Sequence, residues 1–329
     1  MSTHDVKIVK LGEILEHPNA DALEKTMIGN WQVIIKKGQF KEGDRAVYIE
    51  PDYVIPTDVK YFSFLAIEGK DRRRLKAIRL RGEISYGLLI PVPDKLTDKK
   101  VGDNVIDELN ITRYEPPAPP AAGADVLPKE NWPFQAPKFD VENINKFDKT
   151  IKPDEEVVAT EKIHGANSRF TFDDKDQLFK AASRTSWLKE GDHIWSRAAQ
   201  SCPQIEEFCK NNPGYILYGE VYGPVQSLRY GQTNVKFIAF ALLNETRKWV
   251  NYDEFIELMK KFNVPVVAEL YRGPFKDLDF SIAEEDSVLA KPEKQVMEGI
   301  VITPVIERTA PEIGRVTVKH ISNRYWLKK

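Results

Sequence analysis

Hydrophobic and polar residues alternate in short runs along most of the chain. In the first third, VKIVKLGEIL, WQVIIKKG, DRAVYIE, RLKAIRLRG and SYGLLIPVP are β-branched-rich segments bounded by Gly, Pro and Asp, the composition of half-buried strands. Strands this short at this spacing predict a small β-barrel. Further on, EEVVATEKI, SRFTFD, YILYGEVYG, VKFIAFALL, GIVITP and GRVTVKHI read as strands, whereas CPQIEEFCKNN and YDEFIELMKKFN space their apolar residues as helices do. This pattern predicts an α+β fold with mostly antiparallel sheets. No GxGxxG follows a strand, and GQFKEGDR carries Asp44 where a phosphate loop requires lysine, so it reads as a strand turn.

Seven of the 21 prolines fall between Pro116 and Pro137, where neither helix nor sheet pairing is sustained. The expected organisation is a barrel over residues 1–113, a proline-rich connector over 114–138 and an α+β domain over 139–329. A length of 329 residues agrees with two cores rather than one.

Composition narrows the class. With 42% hydrophobic and 30% charged residues, the chain falls among globular proteins rather than disordered or membrane-spanning ones. The opening MSTHDVKIVK lacks the apolar centre of a signal peptide, and no uncharged apolar run reaches spanning length. The expectation is an intracellular protein, cytoplasmic or, in a eukaryote, nuclear, with no membrane partner. Cys202 and Cys209 are the only cysteines; with His193 nearby they make a poor zinc pattern and read as buried thiols on a helix face.

A net charge of −2 predicts no general affinity for polyanions, so a nucleic-acid surface has to gather its basic residues locally. KDRRRLKAIRLR, from Lys70 to Arg81, does so with a single acidic residue, Asp71. Alternation sets Lys76, Ile78 and Leu80 on one face and Ala77, Arg79 and Arg81 on the other. Arg72, Arg73, Arg74, Lys76, Arg79 and Arg81 are therefore the candidate phosphate contacts, with Tyr61, Phe62 and Phe64 as possible stacking partners. Neutralising Arg72, Arg73 and Arg74 is expected to weaken duplex binding.

The stretch VVATEKIHGANSRFTF, Val157 to Phe172, sets Lys162 between an alternating run and a glycine. A lysine amine is a nucleophile only when neutral, and its ordinary pKa of ~10.4 leaves about one in a thousand neutral near pH 7.4. The expectation is a site that depresses this value by burial or by a nearby cation. Gly165 would let a phosphate approach a turn that carries no side chain. K-x-x-G alone is a weak signal.

Lys162-Ile-His-Gly165-Ala-Asn167 resembles motif I of the covalent nucleotidyltransferases, the superfamily of ATP-dependent ligases and mRNA capping enzymes. Ser183-Arg184-Thr185 resembles motif Ia, Tyr218-Gly219-Glu220-Val-Tyr-Gly223 motif III, Phe237-Ile-Ala-Phe240 motif IIIa, Glu298-Gly299-Ile-Val-Ile-Thr303 motif IV and Val318-Lys319 motif V. The wording EKIHGAN is similar to RNA ligases. A β-rich module placed first, with ten residues after Lys319, resembles the RNA ligases with an N-terminal OB domain. The front segments His17-Pro-Asn-Ala-Asp21, Lys41-Glu-Gly-Asp44 and Arg79-Leu-Arg-Gly82 resemble OB folds of the tRNA-binding type.

The resemblance implies an N-terminal OB-fold β-barrel followed by a nucleotidyltransferase domain. It also implies an ATP-dependent RNA ligase sealing 3′-hydroxyl and 5′-phosphate ends through a covalent lysyl-AMP, at nicks in an RNA or RNA/DNA duplex, as a monomer with Mg²⁺ or Mn²⁺. Lys162 would be the nucleophile and Lys319 would meet the α-phosphate. Glu220 and Glu298 would hold the metal, and Arg184 would contact the ribose or the 5′-phosphate. Asn167 would orient ribose or phosphate oxygens, Phe240 would stack on adenine with Phe237 in the core, and Glu161 would bond the adenine amino group or cap the turn. His164 is as well read as a scaffold group as a ligand. Relatives often have a lysine two residues after the first in motif V; Ile321 stands there, with His320, Arg315 or Arg324 as substitutes. A DNA ligase, a GTP-using guanylyltransferase and a scaffold that has lost transfer are the alternatives.

Overall fold

The structure is a computed structural model and describes residues 5–114, 125–147 and 149–328. These fall into two compact units, one of residues 5–114 with 326–328 and one running from 125 to 325.

The first unit is built from short antiparallel ribbons. Arg45–Ile49 lies between Lys7–Lys10 and Leu88–Pro91, Leu23–Ile28 pairs with Trp31–Lys36, and Tyr53–Pro56 lies between Arg72–Arg74 and Thr112–Arg113. Val6, Ile8, Val47, Ile49, Tyr53, Ile55 and Phe62 fill its centre. Phe62 is thus a core residue, whereas Phe64 is exposed.

RLKAIRLRG does not form one strand. Arg72–Arg74 and Ile78–Leu80 belong to different ribbons, and the intervening Leu75 and Ala77 are buried. The three arginines at the front of the expected phosphate surface have partners within the barrel. Arg72 donates to the carbonyls of Asn110 (2.8 Å) and Val54 (3.3 Å). Arg73 donates to the Leu65 carbonyl at 3.0 Å. Arg74 pairs with Asp52 and lies 3.6 Å from the centre of the Tyr114 ring. Their guanidiniums tie together the barrel's own segments, Arg72 and Arg73 through backbone carbonyls and Arg74 through a carboxylate, as a planar fork of donors can. Arg79 and Arg81 are exposed, as is Lys76.

The second unit has two sheets. The larger runs Glu142–Asn143, Val318–Ile321, Gly299–Pro304, Glu156–Glu161 and Glu269–Pro274, all antiparallel except the first pair. The other runs Leu178–Ala182, Ala166–Asp173, Ile216–Tyr222 and Lys236–Leu243, antiparallel throughout. Helices Ile194–Ser201, Gln204–Asn211 and Tyr252–Lys261 cover one face of this second sheet around Phe170, Phe208, Leu217, Phe237 and Phe255. Cys202 and Cys209 lie buried in that core. His193 caps the first helix, its ring accepting from the Ser196 amide.

The other face of the second sheet is covered in part by residues expected in the connector. Leu127, Trp132, Phe134 and Ala136 from it, with Phe139 just after it, pack against Trp187, Ile216, Tyr218 and Leu243. Among its described residues this stretch forms one isolated bridge, Val126 to Leu188, and a 3-10 turn at Lys129–Asn131, yet its aromatic residues bury as a core would. Residues 115–124, the rest of the expected connector, lie outside the described residues.

Candidate active site

Lys162 follows the last residue of the Glu156–Glu161 strand, its amide donating to the Gly299 carbonyl at 2.9 Å. Gly165 then turns the chain into Ala166–Asp173, the first strand of the second sheet to be reached. Motif I therefore bridges the two sheets, which is why an alternating run stands on either side of it. Gly165 is required by the chain itself: a Cβ there would overlap the Val221 carbonyl and lie 3.0 Å from Glu220 Cγ. The close approach seen at this glycine is strand against strand.

Lys162 Nζ lies 2.8 Å from Glu298 Oε1, and 24% of its side chain remains exposed, so the amine is held but reachable. The other Glu298 oxygen, Oε2, is 3.1 Å from His164 Nδ1. His164 Nε2 lies 3.2 Å from Ser227 Oγ, Tyr325 OH is 3.2 Å from Nδ1, and the His164 amide donates to Tyr230 OH at 2.6 Å. His164 is thus a hydrogen-bonded orienter of Glu298. Tyr230, Ser227 and Tyr325 carried no signal in the sequence, since each reaches the site from a loop or helix distant along the chain.

Burial alone would lower the proton affinity of Lys162, but the Glu298 and Glu220 carboxylates outweigh it and raise it. The expected depression is therefore reversed in this state, because two anions face the amine where a cation was required. Burial likewise would push Glu298 up, yet Lys162 and the hydrogen-bonding His164 hold it at about 2. Glu220 goes the other way. Burial raises it to about 8, with Glu298 adding to the rise and Lys162 and the Gly165 amide opposing it. Two carboxylates around one lysine are split by environment, one ionised and one inclined to keep its proton.

Asn167 sits opposite Glu220 in the strand pairing, and its Oδ1 is buried with no hydrogen-bond partner among the described residues. Lys319 lies across Val301 from Thr160 in the larger sheet; alternation sends Thr160, Lys319 and Lys162, two residues on, toward one face. Phe240 is half-buried between the Ile163–Tyr230 cluster and Phe139, while Phe237 packs edge-on to Phe170 in the core. A register shift opposite Tyr218 and Gly219 sets Phe240 apart from the regular alternation.

The remaining expected residues have partners within the protein. Both Glu161 oxygens turn onto one loop distant along the chain, accepting from Ser287 Oγ and from the amides of Val288 (3.0 Å) and Leu289 (3.2 Å), rather than capping the motif I turn. Arg184 is exposed and paired with Asp140. Of the substitutes for a lysine at Ile321, Arg315 is taken up by Glu307 and lies 4.0 Å from the Trp249 ring centre. Arg324 binds the Glu284 carbonyl and Asp286. His320 packs against Phe280, and burial lowers its proton affinity.

Glu220 and Asn167 on two strands thus converge with Glu298, just ahead of the Gly299–Pro304 strand, and with Lys162 on the turn, and their ligating atoms are oxygens apart from the amine. A buried amide oxygen without a partner is costly unless a ligand completes it. A hard divalent cation and a phosphate suit this set. Among the described residues no three His, Cys, Asp or Glu side chains form a ready ligand cluster.

A family model described as RNA ligase matches residues 155–321. The chain belongs to the RNA ligase family. An OB-fold domain model matches residues 5–92, in agreement with the front barrel. Among solved structures, the chain resembles Naegleria gruberi RNA ligase: a Lys-to-Ala mutant with ATP and Mn at 26% identity and TM-score 0.83, covering 98% of each chain. A complex of that ligase with PPi gives 26% and 0.81, again covering 98% of each chain. A Lys-to-Met mutant with AMP and Mn gives the same identity, score and coverage. No curated protein matches the chain. No helix among the described residues is long and apolar enough to cross a membrane.

Proposed function

We propose that this RNA ligase uses ATP to seal a 3′-hydroxyl to a 5′-phosphate through an adenylate carried on Lys162, acting at nicks in duplexes whose hydroxyl side is RNA. The observation that carries the reading is the Lys162–Glu298 pair beside Glu220. A reachable amine is held in a nest of carboxylates, on a turn that joins the sheets. The solved Naegleria ligase structures with ATP and Mn and with AMP and Mn support the donor and the metal class.

Lys162 nitrogen attacks the α-phosphorus, the bond to pyrophosphate breaks, and the amine's proton leaves. The AMP then passes to the 5′-phosphate, breaking the N–P bond and returning a proton to the lysine; attack by the 3′-hydroxyl finally expels AMP. Glu220 and Glu298 would hold Mg²⁺ or Mn²⁺, which would supply positive charge at the phosphate and loosen the amine's hold on its proton. Lys319 would face the α-phosphate, and Asn167 Oδ1 would take a ribose or water hydrogen. Phosphoryl transfer asks little covalent chemistry of the protein and much positioning. A 2′-hydroxyl and A-form geometry give the physical basis for choosing RNA at the hydroxyl side. Exposed Arg79, Arg81 and Lys76 are the front barrel's candidates for phosphate contact.

The test is incubation with Mg²⁺ and α-labelled ATP or GTP, followed by denaturation. Label from ATP is expected, lost in Lys162→Ala. Label from GTP would turn the reading to capping chemistry, no label from either would favour a scaffold, and equal sealing of all-DNA nicks would remove the ribose preference.

A further inference from the structure

Residues 134–143 form an extended strap that runs from the face of the four-stranded sheet to the edge of the five-stranded one. Three buried donors pin its first half. Trp187 Nε1 donates to the Phe134 carbonyl (3.2 Å), Arg169 Nη1 to that of Ala136 (3.3 Å) and Tyr218 OH to that of Pro137 (2.8 Å). Its end, Glu142–Asn143, pairs in parallel with Val318–Ile321, setting Asn143 beside Lys319.

Between these anchors lie two contacts with site residues. The Phe139 ring lies 4.5 Å from that of Phe240, tilted by 49°, and is itself fixed by Trp249 at 5.7 Å and Tyr218 at 5.9 Å. The next residue, Asp140, accepts from Arg184 Nε at 2.9 Å and from its Nη2. We infer that Phe139 and Asp140 are positioning residues of the ligase reaction, Phe139 setting the plane of Phe240 under the base and Asp140 the direction of Arg184. The inference rests on the ligase reading above.

Physical arguments favour a positioning role over a merely stabilising one. Arg184 has 55% of its side chain exposed and Asp140 18%. An ion pair this open adds little to stability, but a fork held from two nitrogens confines a long side chain that would otherwise sample many rotamers. Phe240 is likewise only half-buried, so its ring orientation depends on the aromatic neighbour behind it. Preorganised groups of this kind lower the ordering cost of each encounter.

The full-length enzyme tests this in two assays. With α-labelled ATP, Phe139→Ala is expected to raise KM for enzyme–AMP formation at least fivefold with the maximal rate within twofold, and Phe139→Tyr to restore it. Asp140→Asn is expected to slow sealing as Arg184→Ala does, and the double variant to be no slower than Arg184→Ala. Unchanged KM in a folded Phe139→Ala, or additive losses in the double variant, overturns the inference for that residue. Should Phe139→Ala fail to fold, Phe139→Leu is assayed instead, with an intermediate KM expected and a wild-type KM overturning its role. A wild-type enzyme that takes no label overturns the ligase reading itself, which separates the two failures.

Discussion

At the scale of single residues, Gly165 and Glu220 show how tightly the site is built. A methyl group at Gly165 meets a backbone carbonyl and the Glu220 side chain, and backbone cannot give way as a flexible side-chain tip can. Gly165→Ala is expected to cost about 1–3 kcal/mol by overpacking, read by urea denaturation, and to lose most adenylate labelling because it moves Glu220. An unchanged midpoint would mean that the strands separate freely there. Glu220 also makes stability depend on pH. Its folded value is about 8 against an ordinary 4.5. Between these values the folded protein keeps a proton that the unfolded chain has released, so its contribution is full below about pH 4.5 and is lost as pH rises through 8. Glu298, held at about 2, does the reverse: its contribution is present above 4.5 and lost as pH falls toward 2. In metal-free protein, Glu220→Gln is expected to flatten the fall in stability between pH 5 and pH 8, measured against wild type by denaturation at both pH values.

At the scale of elements, the Arg72–Arg74 strand illustrates how a charge run can be spent inside a fold. Arg72 bridges carbonyls at Val54 and Asn110 from two different segments of the barrel. Arg72→Ala is expected to lower stability by about 0.5–1.5 kcal/mol, the net worth of hydrogen bonds that water can partly replace, while the salt dependence of RNA binding stays as in wild type. A variant with wild-type stability and a shallower salt slope would return Arg72 to the phosphate surface. The strap makes the complementary point. Proline-rich sequence was legible as irregular backbone, but Trp132, Phe134 and Phe139 within and after it were burying themselves on a sheet, and periodicity has no way to report what an irregular segment packs against.

At the scale of the whole molecule, the order of elements and the chemistry were largely legible. Alternating runs marked the strands at Glu156–Glu161, Ile216–Tyr222, Lys236–Leu243 and Gly299–Pro304, because a sheet buried on one or both faces writes its period into the sequence. Helical spacing marked Gln204–Asn211 and Tyr252–Lys261 for the same reason. Lys162, Glu220 and Glu298 stood out through the resemblance of their surroundings to motifs I, III and IV, not through residue type alone. Only the tertiary structure decided how charge is shared among them: that Glu298 holds both Lys162 and His164, that Arg184 is tied to Asp140, and that Glu161 faces a loop 126 residues away. Local patterns reflect interactions between near neighbours, whereas proton affinity and side-chain direction depend on which distant groups the folded backbone brings within a few ångströms.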